Sequence, residues 1–465
     1  MRNHATVLIL SLMLGACSPS PTVPGENVAA APPSPSQPSI TRANTSHAST
    51  PGVAAPPKVN VPPSYAKKHT ELLESSKVKA AFATFKADRQ KNVDDLIEIT
   101  EIPAPPFGEE TRGKHIAKMF KEAGISDVSI DEVGNVIAHR PGTRGGKTIA
   151  LLAHIDTVFP IETDVTVRKD GDTYIAPGIG DNSRGIVVML SLIRAMNAHD
   201  IQTEADILFI GNIGEEGLGD LRGVKHLYRE GAPKIDTMIA IDAGRTDSLV
   251  YGAVGSFRYR VTVKGPGGHS WSDFGDANPH HALGRIMTLF AQRAPEVTAT
   301  GPRTSFSVGR IGGGTSINSI PFESWMEVDM RSVNMNKLRE MDAVFKQAVT
   351  DGLAAENAAR KQGESITVDV QKVGNRPAGV APLTEPLILD AAAAMQALGI
   401  TPKLSLSSTD ANTPISLGLP AITIGRGGVS KGAHSFEETW TDSNSHEAIE
   451  LALLVTLAQA GLVKD

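Results

Sequence analysis

Cysteine is almost absent: Cys17 is the only one in 465 residues, which excludes a disulfide framework. An excess of positive charge is absent too. The formal net charge is -6 at pH 7, so the chain lacks the electrostatic footprint of a nucleic-acid-binding protein. The apolar run at residues 5–14 is too short to span a bilayer as a mature helix, and no internal repeat is found. What remains is an ordinary globular composition, 40% hydrophobic and 21% charged, in a chain long enough for two folded domains plus an appendage.

The chain begins MRNHATVLILSLMLGAC, with Arg2 ahead of the apolar run, and this reads as an export signal. Leu14-Gly15-Ala16-Cys17 resembles the lipobox of bacterial lipoproteins, which implies cleavage before Cys17 and lipidation of its thiol. Residues 18–63 are dominated by Pro, Ser and Ala and cannot bury enough apolar surface to fold, so they read as a semi-extended spacer. The expectation is an exported protein in a bacterial cell envelope, facing the periplasm and touching the membrane only through its lipid anchor.

Apolar residues recur at helical spacing over 67–100, and TIALLAH at 148–154 is the unbroken apolar run of a buried strand. Similar runs occur at 205–212 and 236–242, with a helix-like stretch starting at Gly185. This alternation predicts an α/β domain with a mostly parallel central sheet. After Tyr251 the pattern changes to polar–apolar alternation in SFRYRVTVKG, SFSVGRI and FESWMEVDMRS, with helical stretches at 279–293 and 335–354. Near Pro377 the buried style returns, with a helix at 384–398, strand AITIG and a last helix at 445–461. The expected organisation is a discontinuous catalytic domain, 64–253 and 377–465, interrupted by a smaller α+β lid at 254–376.

Chemistry-bearing residues gather where these strands end. His154 and Asp156 follow TIALLA, Asp181 lies in GIGDNSRG before a helix, and Glu215 and Glu216 form the turn GEEG after ADILFIGN. Asp242 closes DTMIAID, and His434 lies beyond AITIG in GAHSFEE. Each alone has an ordinary reading, as a hydrogen-bonding histidine, a helix cap or a solvated acidic turn. Adjacent carboxylates repel without a cation or proton, however, and open α/β sheets bind ligands at the carboxyl ends of their strands. Jointly these residues predict one site.

Through HIDTV, GDNSRG, GEEG, the aspartate after the next strand, GGHS and GAHSFEE, in that order, the chain resembles the M20 family of metallopeptidases and related amidohydrolases. The resemblance implies a zinc-peptidase catalytic domain with an inserted lid that mediates dimerisation. It implies two zinc ions, with cobalt or manganese able to serve, bridged by Asp181; His154 and Asp242 complete one site, and Glu216 and His434 the other. Glu215 would be the general base, and Asp156 would accept the second ring proton of His154. A cis peptide is expected at Asp181-Asn182. His269 in KGPGGHSW resembles the lid histidine that reaches the partner subunit's active site, while Asn318 and Arg331 resemble lid residues that grip the substrate.

Aspartate at position 242 resembles the tripeptidase and dipeptidase branch, as does the pair Thr409-Asp410, and this implies short peptides as substrates. That branch carries Arg-Gly-Gly before the pair, where Leu406, Ser407 and Ser408 stand here. An N-acyl amino acid amidohydrolase or carboxypeptidase on the same scaffold is the alternative. A non-catalytic binding lipoprotein is a third reading, opposed by the intact Glu215.

Overall fold

The computed structural model describes residues 57–464, so the export signal, Cys17 and most of the expected spacer lie outside the described residues. Three helices open the folded part, Pro63–Glu74, Ser76–Ala87 and Arg89–Thr100. The first begins with proline in its first turn, where the missing N–H costs nothing. No helix among the described residues is long and apolar enough to cross a membrane.

The main sheet has nine strands, and its centre is built from the runs that read as buried in the sequence. Asp206–Asn212, Thr148–His154, Thr237–Ala243 and Ala421–Gly425 lie side by side and parallel. Flanking strands are largely antiparallel: Val136–Arg140 on one side, and on the other Ser248–Ala253, which also pairs in parallel with Lys403–Ser407. Helices cover the sheet. Arg184–Ala198 is buried nearly all round, which explains its weak polar face. Pro386–Ala397 and His446–Ala460 are likewise almost wholly buried.

The chain leaves this sheet at Ala253 and returns at Gly379, and those two residues pair with each other. The intervening segment forms an antiparallel sheet in the order Thr304–Gly313, Glu323–Ser332, Gly255–Lys264, Thr367–Arg376. Glu323–Ser332 alternates buried and half-buried residues along its whole length, as the polar–apolar pattern predicts for a sheet with one covered face. Its cover is the helix pair Pro279–Thr298 and Met335–Ala359. The two helices and the sheet share a separate core in which Phe345 packs 5.2 Å from Phe290 and 5.1 Å from Tyr259, ring centre to ring centre.

A third, small sheet has a different use. Arg168–Asp170, Thr173–Ile175, Thr439–Thr441 and Val429–Lys431 are too short to form a core. They clip the loop carrying Asp181 to the loop carrying His434, anchored by buried Trp440, whose indole N–H donates to the Gly427 carbonyl at 2.9 Å.

Gly185, in the first turn of Arg184–Ala198, lets that helix approach the sheet. A Cβ there would lie 2.5 Å from the Ile241 carbonyl oxygen and from Asn182 Oδ1, and 2.8 Å from Ala153 Cβ. Gly185→Ala is expected to lower stability by about 1–3 kcal/mol in urea denaturation, because backbone on the strand side cannot yield. An unchanged midpoint would show that the helix is not seated this closely.

Candidate metal centre

His154 is the last residue of its strand and is 1% exposed. Its Nε2 lies 3.2 Å from Asp181 Oδ1 and 3.5 Å from Asp242 Oδ1. Burial opposes a charge on this ring, yet the two carboxylates hold its pKa well above the ordinary histidine value. His434 Nε2 stands 2.9 Å from Glu216 Oε1 and 3.6 Å from Asp181 Oδ2. The carboxylates of Asp181 and Glu216 raise the His434 pKa to about 10, while burial pushes Glu216 up to about 7.

Asp181 therefore faces one imidazole with each oxygen. Two trios, His154 with Asp181 and Asp242, and Asp181 with Glu216 and His434, each offer ligand atoms within 4.8 Å of one another. All five expected ligands are thus brought together. A third trio, His154, Glu215 and Glu216, shows that Glu215 borders the same space. The donors are imidazole and carboxylate only, and the crowded acids need a cation or a proton between them, so the residues present fit divalent metal ions.

Asp156 is placed differently from the expectation. The Nδ1 of His154 lies 3.0 Å from the Asp156 backbone carbonyl, against 3.7 Å from its carboxylate. The carboxylate is instead engaged by the backbone N–H groups of Glu215 and Glu216, at 3.0 and 2.8 Å. A carboxylate two residues after the histidine is aimed across to the neighbouring strand end, where it pins the GEEG turn. The His154 tautomer is left to a backbone acceptor.

Three functional side chains escaped the sequence reading. Glu438, 0% exposed, accepts N–H bonds from Gly178 at 3.0 Å, Gly180 at 2.9 Å and Asp181 at 2.9 Å, and so shapes the loop that presents Asp181. The peptide that follows, Asp181-Asn182, is cis. Burial, with the like charge of Asp181, raises the Glu438 carboxyl to about 7. Glu438 stood within GAHSFEE, but nothing in that string distinguishes it from Glu437, which is exposed.

Arg426, buried, donates from Nη1 to Asp181 Oδ1 at 3.0 Å and to Asp242 Oδ1 at 2.9 Å. Burial opposes its charge, but Asp181 and Asp242 outweigh it and raise its pKa. Each carboxylate oxygen has two lone pairs, so Arg426 and a cation can share these oxygens. Arg376, on the last strand of the antiparallel sheet, donates to Glu215 Oε1 at 2.8 Å, to the Glu215 carbonyl, and to Ser408 Oγ at 3.0 Å. A guanidinium therefore stands beside Ser408 after all, supplied from another part of the chain. Glu215 Oε2 has no hydrogen-bond partner among the described residues.

These groups border a cleft of about 530 Å³ between the two sheets. Arg331 lines it, with its Nε bound to Asp329 at 2.7 Å; Arg258 grips the same carboxylate at 2.9 Å and also bonds the Gly217 carbonyl. His269 and Asn318 do not line it. They sit together beside a short antiparallel pair, Gly268–His269 with Ser319–Ile320; His269 and Asn318 are both exposed, and the His269 ring accepts the Trp271 N–H at 3.1 Å.

A parallel sheet with this carboxylate and imidazole cluster at its strand ends defines a metal-dependent peptide or amide hydrolase. The chain belongs to peptidase family M20/M25/M40, whose sequence profile matches residues 150–458. It is 23% identical over 299 residues to carboxypeptidase G2 of Pseudomonas sp. strain RS-16, covering 62% of this chain and 68% of that protein. It is 24% identical over 279 residues to N-acetylcysteine deacetylase of Bacillus subtilis strain 168, covering 57% and 71%. In fold it is similar to the crystal structure of aminopeptidase PepT from Bacillus cereus, with a TM-score of 0.63 and 22% identity across 80% of this chain and 98% of that one.

Removing the Glu438 carboxylate strands three N–H groups beside Asp181. Glu438→Ala is expected to weaken metal binding by about 10–100-fold in a chelator-competition titration. Metal affinity equal to wild type would show that the loop holds its shape unaided.

Proposed function

We propose that the chain hydrolyses short peptides with two zinc ions. The observation that carries this reading is the position of Asp181, with one oxygen toward His154 and the other toward His434. His154 and Asp242 would hold one ion, Glu216 and His434 the other, and Asp181 both. With imidazole and carboxylate donors and no thiolate, zinc is preferred, and cobalt or manganese could serve. When bound, such ions polarise the scissile carbonyl and lower the pKa of water toward about 7.

Glu215 takes the proton from the attacking water on Oε2 and delivers it to the leaving nitrogen, so that water and amide become carboxylate and amine. Arg376 holds the other oxygen and keeps Oε2 aimed at the cleft. Arg331 presents its two terminal nitrogens to the substrate carboxylate. His269 and Asn318, set off their own cleft, would serve the cleft of a second copy, by dimerisation through the inserted sheet, with His269 stabilising the oxyanion. Lipidation of Cys17 would tether the enzyme to the cell envelope.

Aspartate at 242 and the Thr409-Asp410 pair support short peptides. The likeness to carboxypeptidase G2 and to a deacetylase supports a second reading, release of an amino acid from a carboxyl terminus or an N-acyl group. Assays of dipeptides, tripeptides and N-acyl amino acids with the zinc enzyme separate the two, and a preference for acylated substrates would overturn the first. Glu215→Gln is expected to lower kcat by about 10²–10⁴-fold with metal content retained; undiminished turnover would remove Glu215 from proton transfer. Cys17→Ser is expected to move the protein from the membrane to the soluble fraction, and continued sedimentation with membranes would exclude this anchor.

A further inference from the structure

The inserted sheet ends on an edge strand, Thr367–Arg376, and a cavity of about 780 Å³ lies between that strand and the helix Met335–Ala359. It shares no lining residue with the metal cleft. Helical periodicity turns Lys346, Val349, Thr350 and Leu353 toward it from one side, at spacings of three and four. Strand alternation turns Val368, Val370 and Lys372 toward it from the other. Lys372 stands directly opposite Tyr259 of Gly255–Lys264, which packs on Phe345 of the same helix, so Lys372 and Tyr259 share the helix-covered face of the sheet.

Two polar groups in this cavity lack partners. Tyr259 is 3% exposed, yet its hydroxyl makes no hydrogen bond, and Asp342 Oδ1 nearby makes none either. Burial, with the Asp342 carboxylate, pushes the Tyr259 phenol up, so it stays a protonated donor. Lys372 makes no hydrogen bond or ion pair among the described residues; its ammonium rests 3.5 Å from the centre of the Phe257 ring and 5.3 Å from that of Tyr259. Burial lowers the Lys372 pKa, a cost that a neighbouring anion offsets. The nearby acids already have cations: Asp342 Oδ2 takes Lys346 at 2.8 Å, and Asp220 takes Lys225 at 2.6 Å. Lys372 is therefore the uncompensated charge of this wall.

We propose that this cavity binds a carboxylate carrying an aliphatic tail, with the carboxylate between Lys372 and the Tyr259 hydroxyl and the tail along Val349, Leu353, Val368 and Val370. The charge selects an anion, and the apolar wall selects the tail. Val349 is buried and the other three are half-buried, so a tail laid on them removes apolar surface from water. Lys346 to Leu353 covers about 10 Å by helical rise, the length of an octanoyl chain. The site lies on the inserted sheet, apart from the metal cleft, and does not depend on the hydrolytic reading. Lys372 is exposed, so solvent and salt screen it and the expected discrimination is modest.

The test is calorimetric titration of the metal-loaded full chain with octanoate, octylamine and acetate, and it needs no substrate. Octanoate is expected to bind about tenfold more tightly than either of the others, its charge separating it from octylamine and its tail from acetate. Lys372→Gln should weaken octanoate by about tenfold, the low end for a charge-assisted hydrogen bond, and Lys372→Glu should shift the preference to octylamine. Tyr259→Phe, which keeps the ring and removes the hydroxyl, should weaken octanoate by a smaller factor. Because Lys372 is exposed, its two variants keep the fold even where the buried Tyr259 variant does not. Octanoate bound at the metal cleft instead would keep its wild-type affinity in Lys372→Gln, and that result overturns the site. Octanoate binding no tighter than acetate or octylamine, or not at all, overturns it too.

Discussion

Five carboxylates, those of Asp156, Asp181, Glu215, Glu216 and Asp242, are gathered at one end of one sheet, and their mutual repulsion is the constraint the surrounding structure answers. Buried like charges persist only with partners. Asp156 is held by two backbone N–H groups, Asp181 and Asp242 by Arg426, Glu215 by Arg376, and Glu216 by His434. Protein cations therefore neutralise part of the cluster. The remaining negative charge favours a bound metal ion.

Geometry follows from the same need. His154 and Asp242 are fixed in the ends of parallel strands, whereas Asp181, Glu216 and His434 stand on connecting segments that, left alone, would spread apart. Two devices stop that. The small sheet around Trp440 ties the Asp181 loop to the His434 loop, and Glu438 gathers three N–H groups of the Asp181 loop onto one carboxylate. On the opposite wall, the antiparallel sheet reaches the GEEG turn through Arg258 and Arg376. These two arginines set Glu215, the proposed general base, where both sheets meet.

Much of this was legible in the chain alone. The run TIALLAH and the strand AITIG appear where their apolar patterns place them, and the switch to alternation after Tyr251 marks the second sheet. Helix ends were less legible: the helical stretch at 67–100 is divided at Ser75, where ψ is 129°, and again at Asp88. Among the candidate site residues, His154, Glu215, Glu216, Asp242 and His434 could be read because each stands at or beyond the end of a recognisable strand, and Asp181 because it stands in a glycine-flanked turn before a helix. Asp156 was assigned to the wrong neighbour, since a spacing of two along the chain says nothing about which strand end a side chain turns toward.

The sequence by itself determined the order of strands and helices, the residues at the strand ends and the donor chemistry they offer, because those are set by local periodicity and residue type. Tertiary structure alone decided which oxygen faces which imidazole, and which cations answer the buried acids. It brought Arg376 to Ser408 and Glu438 to Gly178, pairs that lie far apart in the chain. Charge compensation and cavity shape act through space, so no stretch of sequence carries a signal for them.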